Sequence, residues 1–131
     1  MSKSVLILDE DPEVLTFLTQ LLEARKLRVL RARSKSEAFE ILNRAYVPVD
    51  LVVANLMLTG VGGPDFTRHV ADLRPHVPVM YMSAFIDSGV IRVEAMSGVG
   101  YAEFPGADDR GVMKAVFSAL KNSEAWLHRS A

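Results

Sequence analysis

The sequence contains no cysteine. Disulfides, thiolate nucleophiles and zinc–cysteine sites are therefore excluded. The absence fits a reducing compartment. An excess of either charge is missing too: 15 basic against 16 acidic side chains leave a formal net charge of -1. A general nucleic-acid coat needs a strong basic surplus, so that class is set aside. Long apolar runs are also lacking. The amino terminus leads into only a short run, Val5 to Leu8, and then into acid. That is too short for a signal peptide, and no stretch approaches the ~20 apolar residues that span a bilayer. The expectation is a soluble cytoplasmic protein with no membrane partner. What is present, half hydrophobic and 24% charged over 131 residues, has the balance of one folded domain.

Apolar runs alternate with amphipathic stretches along the chain. Val5-Leu6-Ile7-Leu8 has no polar face, as expected of a strand covered on both sides. Asp11-Pro12 then offers an N-cap and a first helical residue, and Val14, Leu18, Leu21 and Leu22 share one helical face. A second strand is predicted around Arg28 to Ala32. Ser34 and Glu37 have capping-box spacing before the stripe Ala38, Ile41 and Leu42. Leu51 to Ala54 reads as a third strand. A glycine-rich loop leads to a helix with Phe66, Val70 and Leu73. Val77 to Met82 contains a fourth strand, a glycine-bounded helix is predicted over Asp87 to Met96, and Gly100 to Phe104 reads as a fifth strand. A last helix carries Val112, Met113, Val116, Phe117 and Leu120.

Five βα units predict an α/β fold: a flavodoxin-like (βα)5 doubly wound parallel sheet with strand order 2-1-3-4-5. Ligands of such sheets sit at the carboxyl ends of the strands, which directs attention to Asp9, Asn55, Ser83 and Phe104. Asp9, Glu10 and Asp11 make an acidic triplet at the first of these ends. Clustered carboxylates suit a hard cation such as Mg²⁺. The same triplet also serves as a helix cap with two solvated acids, and spacing alone leaves both readings open.

Four motifs in order carry a resemblance. They are Val5-Leu6-Ile7-Leu8-Asp9-Glu10-Asp11-Pro12, Asp50-Leu51-Val52-Val53-Ala54-Asn55-Leu56-Met57-Leu58-Thr59-Gly60, Pro78-Val79-Met80-Tyr81-Met82-Ser83-Ala84 and Tyr101-Ala102-Glu103-Phe104-Pro105. From about Ser4 to Leu120 the chain resembles the CheY-like receiver domain of two-component response regulators. Residues 4–122 are taken as the receiver-like domain and 123–131, with Trp126 and Leu127, as a tail or helix extension. The resemblance implies an acidic pair that helps bind Mg²⁺, matched by Asp9 and Glu10, with a main-chain carbonyl ligand matched by Met57. It implies a switch hydroxyl and a switch aromatic, matched by Ser83 and Tyr101. It also implies a cis bond before the proline of the last motif, here Phe104-Pro105.

Two positions depart from the family. Asn55 stands where the resemblance places the phosphoacceptor Asp, and an amide cannot form the acyl phosphate. Phe104 stands where the phosphate-pairing Lys is expected, and a phenyl ring neutralises no phosphate charge. Thr59 replaces a usual proline, a smaller matter of loop stiffness. Losing one carboxylate and one ammonium together leaves the pocket charge near that of the family, about −2 by counting ionised groups. The reading is a pseudo-receiver of a two-component phosphorelay, not an enzyme, needing no cofactor and holding Mg²⁺ weakly or not at all. Its expected partner is a protein, whether a histidine kinase, an output domain or another regulator, met through about residues 87–120. A homodimer stays open. The alternatives are a small-ligand or nucleotide binder using the flavodoxin-like crevice, and a receiver phosphorylated on another pocket carboxylate.

The remaining features have plainer readings. The glycines from Gly60 to Gly63 lack the Lys-Ser/Thr of a phosphate-binding loop and mark a turn. Arg25, Lys26, Arg28, Arg31, Arg33 and Lys35 cluster on a predicted edge strand, where charge blocks edge-to-edge pairing; that outweighs an acidic-partner site. His69, His76 and His128 have no metal-ligand spacing. Met80 and Met82 fall at strand period, as core residues do.

Overall fold

The computed structural model describes residues 2–55, 64–87, 90–97, 100–102 and 113–121. Strand β1 (Ser4–Leu8) is followed by α1 (Pro12–Glu23), β2 (Arg28–Ala32), α2 (Lys35–Leu42), β3 (Leu51–Asn55) and α3 (Pro64–Leu73). Then come β4 (Val79–Asp87), β5 (Val90–Ser97), β6 (Gly100–Ala102) and a helix over 113–121, α4. The sheet order is β2-β1-β3-β4-β5-β6. The first four strands are parallel, in the order 2-1-3-4 of the flavodoxin-like fold.

Side chains alternate across the sheet, so the two faces build separate cores. Val5, Ile7, Leu51, Val53, Met80 and Met82 pack with Val14, Leu18 and Leu22 of α1 and with Met113, Val116 and Leu120 of α4. On the opposite face Leu6, Leu8, Val52 and Ala54 meet Ala38 and Leu42 of α2 and Phe66 and Val70 of α3. Both faces of β1 and β3 are therefore covered, which is why these strands read as unbroken apolar runs.

The helix ends follow local chemistry. Asp11 Oδ1 accepts from the Glu13 N–H at 2.9 Å, and Pro12 opens α1 without wasting a donor. Ser34 Oγ accepts from the Glu37 N–H at 3.1 Å. Glu37 Oε2 reaches back to the Arg33 N–H at 2.7 Å, one residue earlier than the usual capping box. Helix α1 stops in a left-handed turn at Lys26, whose φ is 64°. The Leu27 N–H donates to Leu22 O and the Lys26 N–H to Glu23 O, and Leu22 and Leu27 share the core below.

Beyond β4 the structure differs from the pattern reading. The helix predicted over Asp87 to Met96 is absent; Val90–Ser97 is a strand antiparallel to β4. Of the predicted fifth strand, Gly100–Ala102 lies among the described residues and is a strand antiparallel to β5, while 103–104 lie outside them. The sequence explains the first difference. Val90, Ile91 and Val93 are β-branched, and Ile91, Val93 and Ala95 alternate with Arg92 and Glu94 at period two. Helix boundaries drawn from glycines alone missed that alternation.

Candidate functional site

Strands β1 and β3 are neighbours and parallel, with Leu8 in register with Ala54. Their next residues, Asp9 and Asn55, therefore emerge side by side at the carboxyl end of the sheet. Both are buried, at 1% and 6% exposure. The Asn55 amide, Nδ2, donates to Asp9 Oδ2 at 2.8 Å. The other Asp9 oxygen, Oδ1, accepts from the Asp11 N–H at 2.8 Å. An ionised carboxylate only accepts, so the amide turns its nitrogen toward it. An oxygen-first amide would bring two acceptors together.

Burial raises the Asp9 pKa from its ordinary value; the Asp11 N–H and the Asn55 amide pull it back down, while the Asp11 and Glu10 carboxylates push it up. The net direction is up. A carboxyl whose folded pKa exceeds its unfolded one binds its proton more tightly when folded. Its protonation therefore adds stability below the unfolded value of 3.8, and that addition is lost as pH rises through the folded pKa. Urea unfolding across about pH 3 to 7 should show this decline, and Asp9→Asn should remove its share. An identical pH profile for Asp9→Asn would contradict the assignment.

The other candidates are placed as follows. Glu10 is exposed, and its carbonyl accepts from Arg33 Nη2 at 3.5 Å. Asp11 is committed to capping α1. Ser83 lies in β4, one residue beyond Met82, which is in register with Asn55. Tyr101 lies in β6 in register with Met96, so β5 separates it from β4, whereas the predicted order 2-1-3-4-5 sets its strand beside β4. Met57, Phe104 and Pro105, with the bond between the last two, lie outside the described residues, as do the Gly60–Gly63 turn, His128, Trp126 and Leu127. His69 is exposed and stacks on Phe39 at 3.9 Å.

Both Asp9 oxygens already accept hydrogen bonds, Oδ1 from the Asp11 N–H and Oδ2 from the Asn55 amide. Among the described residues no three acidic or histidine side chains converge on one point. Hard cations gain affinity from the number of charged oxygens; among the described residues at this end of the sheet, Asp9 is the buried carboxylate. Two contacts escaped the sequence reading. Asp50 Oδ2 accepts from the Ser4 N–H at 2.7 Å, tying the start of β1 to the start of β3. Arg74 binds three carbonyls between α2 and β3. In sequence each resembles an ordinary surface charge.

Residues 5–102 match the response regulator receiver domain. The polar-differentiation response regulator DivK of Brucella ovis is 34% identical over 92 residues, which span 68% of this chain and 72% of DivK. Response regulator GtcR of Aneurinibacillus migulanus is 29% identical over 84 residues, 64% of this chain but only 34% of GtcR. The chain thus spans about a third of that longer relative. In fold it is similar to a CheY-like receiver domain protein of Methanospirillum hungatei JF-1, with a TM-score of 0.73 over 95% of this chain and 98% of the other at 18% identity. A receiver domain from Clostridium thermocellum gives a TM-score of 0.54 at 26% identity, over 59% of this chain and 61% of that one.

Proposed function

The chain belongs to the family of response regulator receiver domains, and from that premise we propose a pseudo-receiver that signals by binding another protein without itself being phosphorylated. The observation that carries the reading is the Asn55–Asp9 hydrogen bond. Residue 55 ends β3, where the family resemblance puts the phosphoacceptor, and its side chain is an amide engaged with the neighbouring acid. An amide lacks the anionic oxygen that attacks phosphorus. The nearby carboxylate, Asp9, is buried and doubly hydrogen-bonded, which leaves it a poor substitute. Phe104, in the lysine place by the same resemblance, adds no charge to hold a phosphoryl group.

On this reading the domain is not an enzyme, needs no cofactor and holds Mg²⁺ weakly or not at all. It meets a histidine kinase, an output domain or another regulator through about residues 87–120, the stretch that includes β5, β6 and most of α4. The test is incubation with acetyl phosphate and Mg²⁺ followed by intact-mass measurement. No base-labile gain of one phosphoryl group is expected. Such a gain, mapped to Asp9 or any other pocket carboxylate, would overturn the proposal.

A further inference from the structure

A second surface stands on the opposite edge of the sheet. Arg25, Lys26, Arg28, Arg31, Arg33 and Lys35 hold six of the chain's 15 basic groups and none of its 16 acidic ones. All six are exposed. Among the described residues none of them forms an ion pair; Arg33 alone uses its guanidinium, donating to the Glu10 carbonyl at 3.5 Å. Charged side chains guard an edge strand against self-pairing. Six like charges within residues 25–35, none in an ion pair among the described residues, also repel one another, and an anionic partner would relieve that.

The backbone narrows the choice of partner. Strand β2 is outermost. The Arg28 N–H donates to Lys3 O at 2.9 Å, and Ala32 O accepts from the Asp9 N–H at 3.1 Å. Successive residues of a strand point their amide groups to opposite sides. Arg28, Leu30 and Ala32 therefore face β1, while Val29 and Arg31 turn both N–H and C=O to the open side. A phosphate, whether of a nucleic acid or a lipid, offers acceptors only. A peptide backbone offers donors and acceptors at matching spacing. Beside this edge, between α1 and β2, lies a groove of about 290 Å³. It is lined by Pro12, Leu15 and Thr16 of α1, by Arg31 and Arg33, and by Glu37 of α2. Glu37 is already engaged by the Arg33 N–H at 2.7 Å.

We propose that the open edge of β2 docks an extended acidic segment of a partner protein by strand addition, with its acidic side chains beside Arg28 and Arg31. The backbone ladder gives adhesion, and the arginines select acid over neutral sequence. This surface is separate from residues 87–120, so either site can fail without the other.

Arg28 and Arg31 lie on opposite faces of β2, so the probe is a short fluorescein-labelled extended peptide with glutamate on both faces, Glu-Glu-Val-Glu-Glu-Val, read by anisotropy against the full chain. Binding should weaken roughly tenfold in Arg28→Gln/Arg31→Gln, since both exposed charge pairs are lost. It should weaken again when alternate peptide nitrogens are methylated, which breaks the ladder but keeps the charge. In hydrogen exchange the Val29 and Arg31 amides should slow on binding while Leu30 stays unchanged. Equal binding of the methylated peptide, an unaffected double variant, no binding at all, or tighter binding of oligothymidylate or phosphatidylserine vesicles would each overturn the proposal. An unchanged melting temperature of the double variant shows that any lost binding is not lost folding.

Discussion

Arg74→Ala is expected to cost about 2–4 kcal/mol of stability, more than truncating an ordinary surface arginine. Its guanidinium ties the end of α2 to the segment that leads into β3. Nε donates to Leu42 O at 3.0 Å, and Nη2 donates to Arg44 O at 2.8 Å and to Val47 O at 2.9 Å. These carbonyls lie at or beyond the C-terminus of a helix of only eight residues, where a cation also meets the negative end of the helix dipole. Alanine leaves the Leu42 and Val47 carbonyls to find water, while Arg44 O keeps the Val47 N–H at 2.9 Å, and the Leu42 side chain beside them is 2% exposed. Arg74→Lys should recover part of the loss, because an ammonium reaches fewer carbonyls than the planar fork. Urea midpoints of the three proteins decide it. A difference below about 0.5 kcal/mol between Arg74→Ala and wild type would mean that water replaces the guanidinium at no cost. The effect bears on the site, since the segment after Val47 feeds β3 and so positions Asn55.

How far the sequence could be read depended on the range of the interaction. Apolar runs, the Asp11-Pro12 cap and the Ser34–Glu37 cap are local, and each maps onto a hydrogen bond or a buried strand. The parallel order 2-1-3-4 followed from alternating elements and the handedness of crossovers. The stretch from Val90 to Met96 misled because glycines on both sides looked like helix ends, whereas its β-branched, alternating residues pair with β4. At the site, the position of Asn55 was readable from strand ends. Its hydrogen bond to Asp9 spans 46 residues of sequence and depends on a register that no local pattern encodes. The same holds for Arg74, whose three acceptors lie 27 to 32 residues away.

Asn55→Asp is expected to be the most costly single change at the carboxyl end of the sheet. It replaces the donor that sits 2.8 Å from Asp9 Oδ2 with a second carboxylate, in a place where both residues are buried. Two carboxylates at that distance cannot both ionise, so the pair should hold one proton between them. The unfolded chain releases that proton near pH 4, so keeping it at pH 7 costs at most about 4 kcal/mol. The sign follows: the folded variant binds more protons than the unfolded one, and its stability should fall as pH rises from about 4 to 7. Near pH 4 the gap to wild type should be small. Mg²⁺ should separate the two proteins further. The variant loses the amide that projects N–H at Asp9 and gains a charged oxygen, so its native state should take up the cation. At ~100 times its dissociation constant, Mg²⁺ would return ~2.7 kcal/mol. Wild type should respond little. Phe104→Lys, added to Asn55→Asp, supplies a counter-charge if residue 104 reaches the pair, and should then shrink the pH dependence without Mg²⁺. Melting curves with and without Mg²⁺, at pH 4 and 7, test each step. A variant as stable as wild type at pH 7, with no response to Mg²⁺, would mean that residue 55 turns away from Asp9 once it carries a charge. The pair would then not be the remnant of a phosphoacceptor pocket.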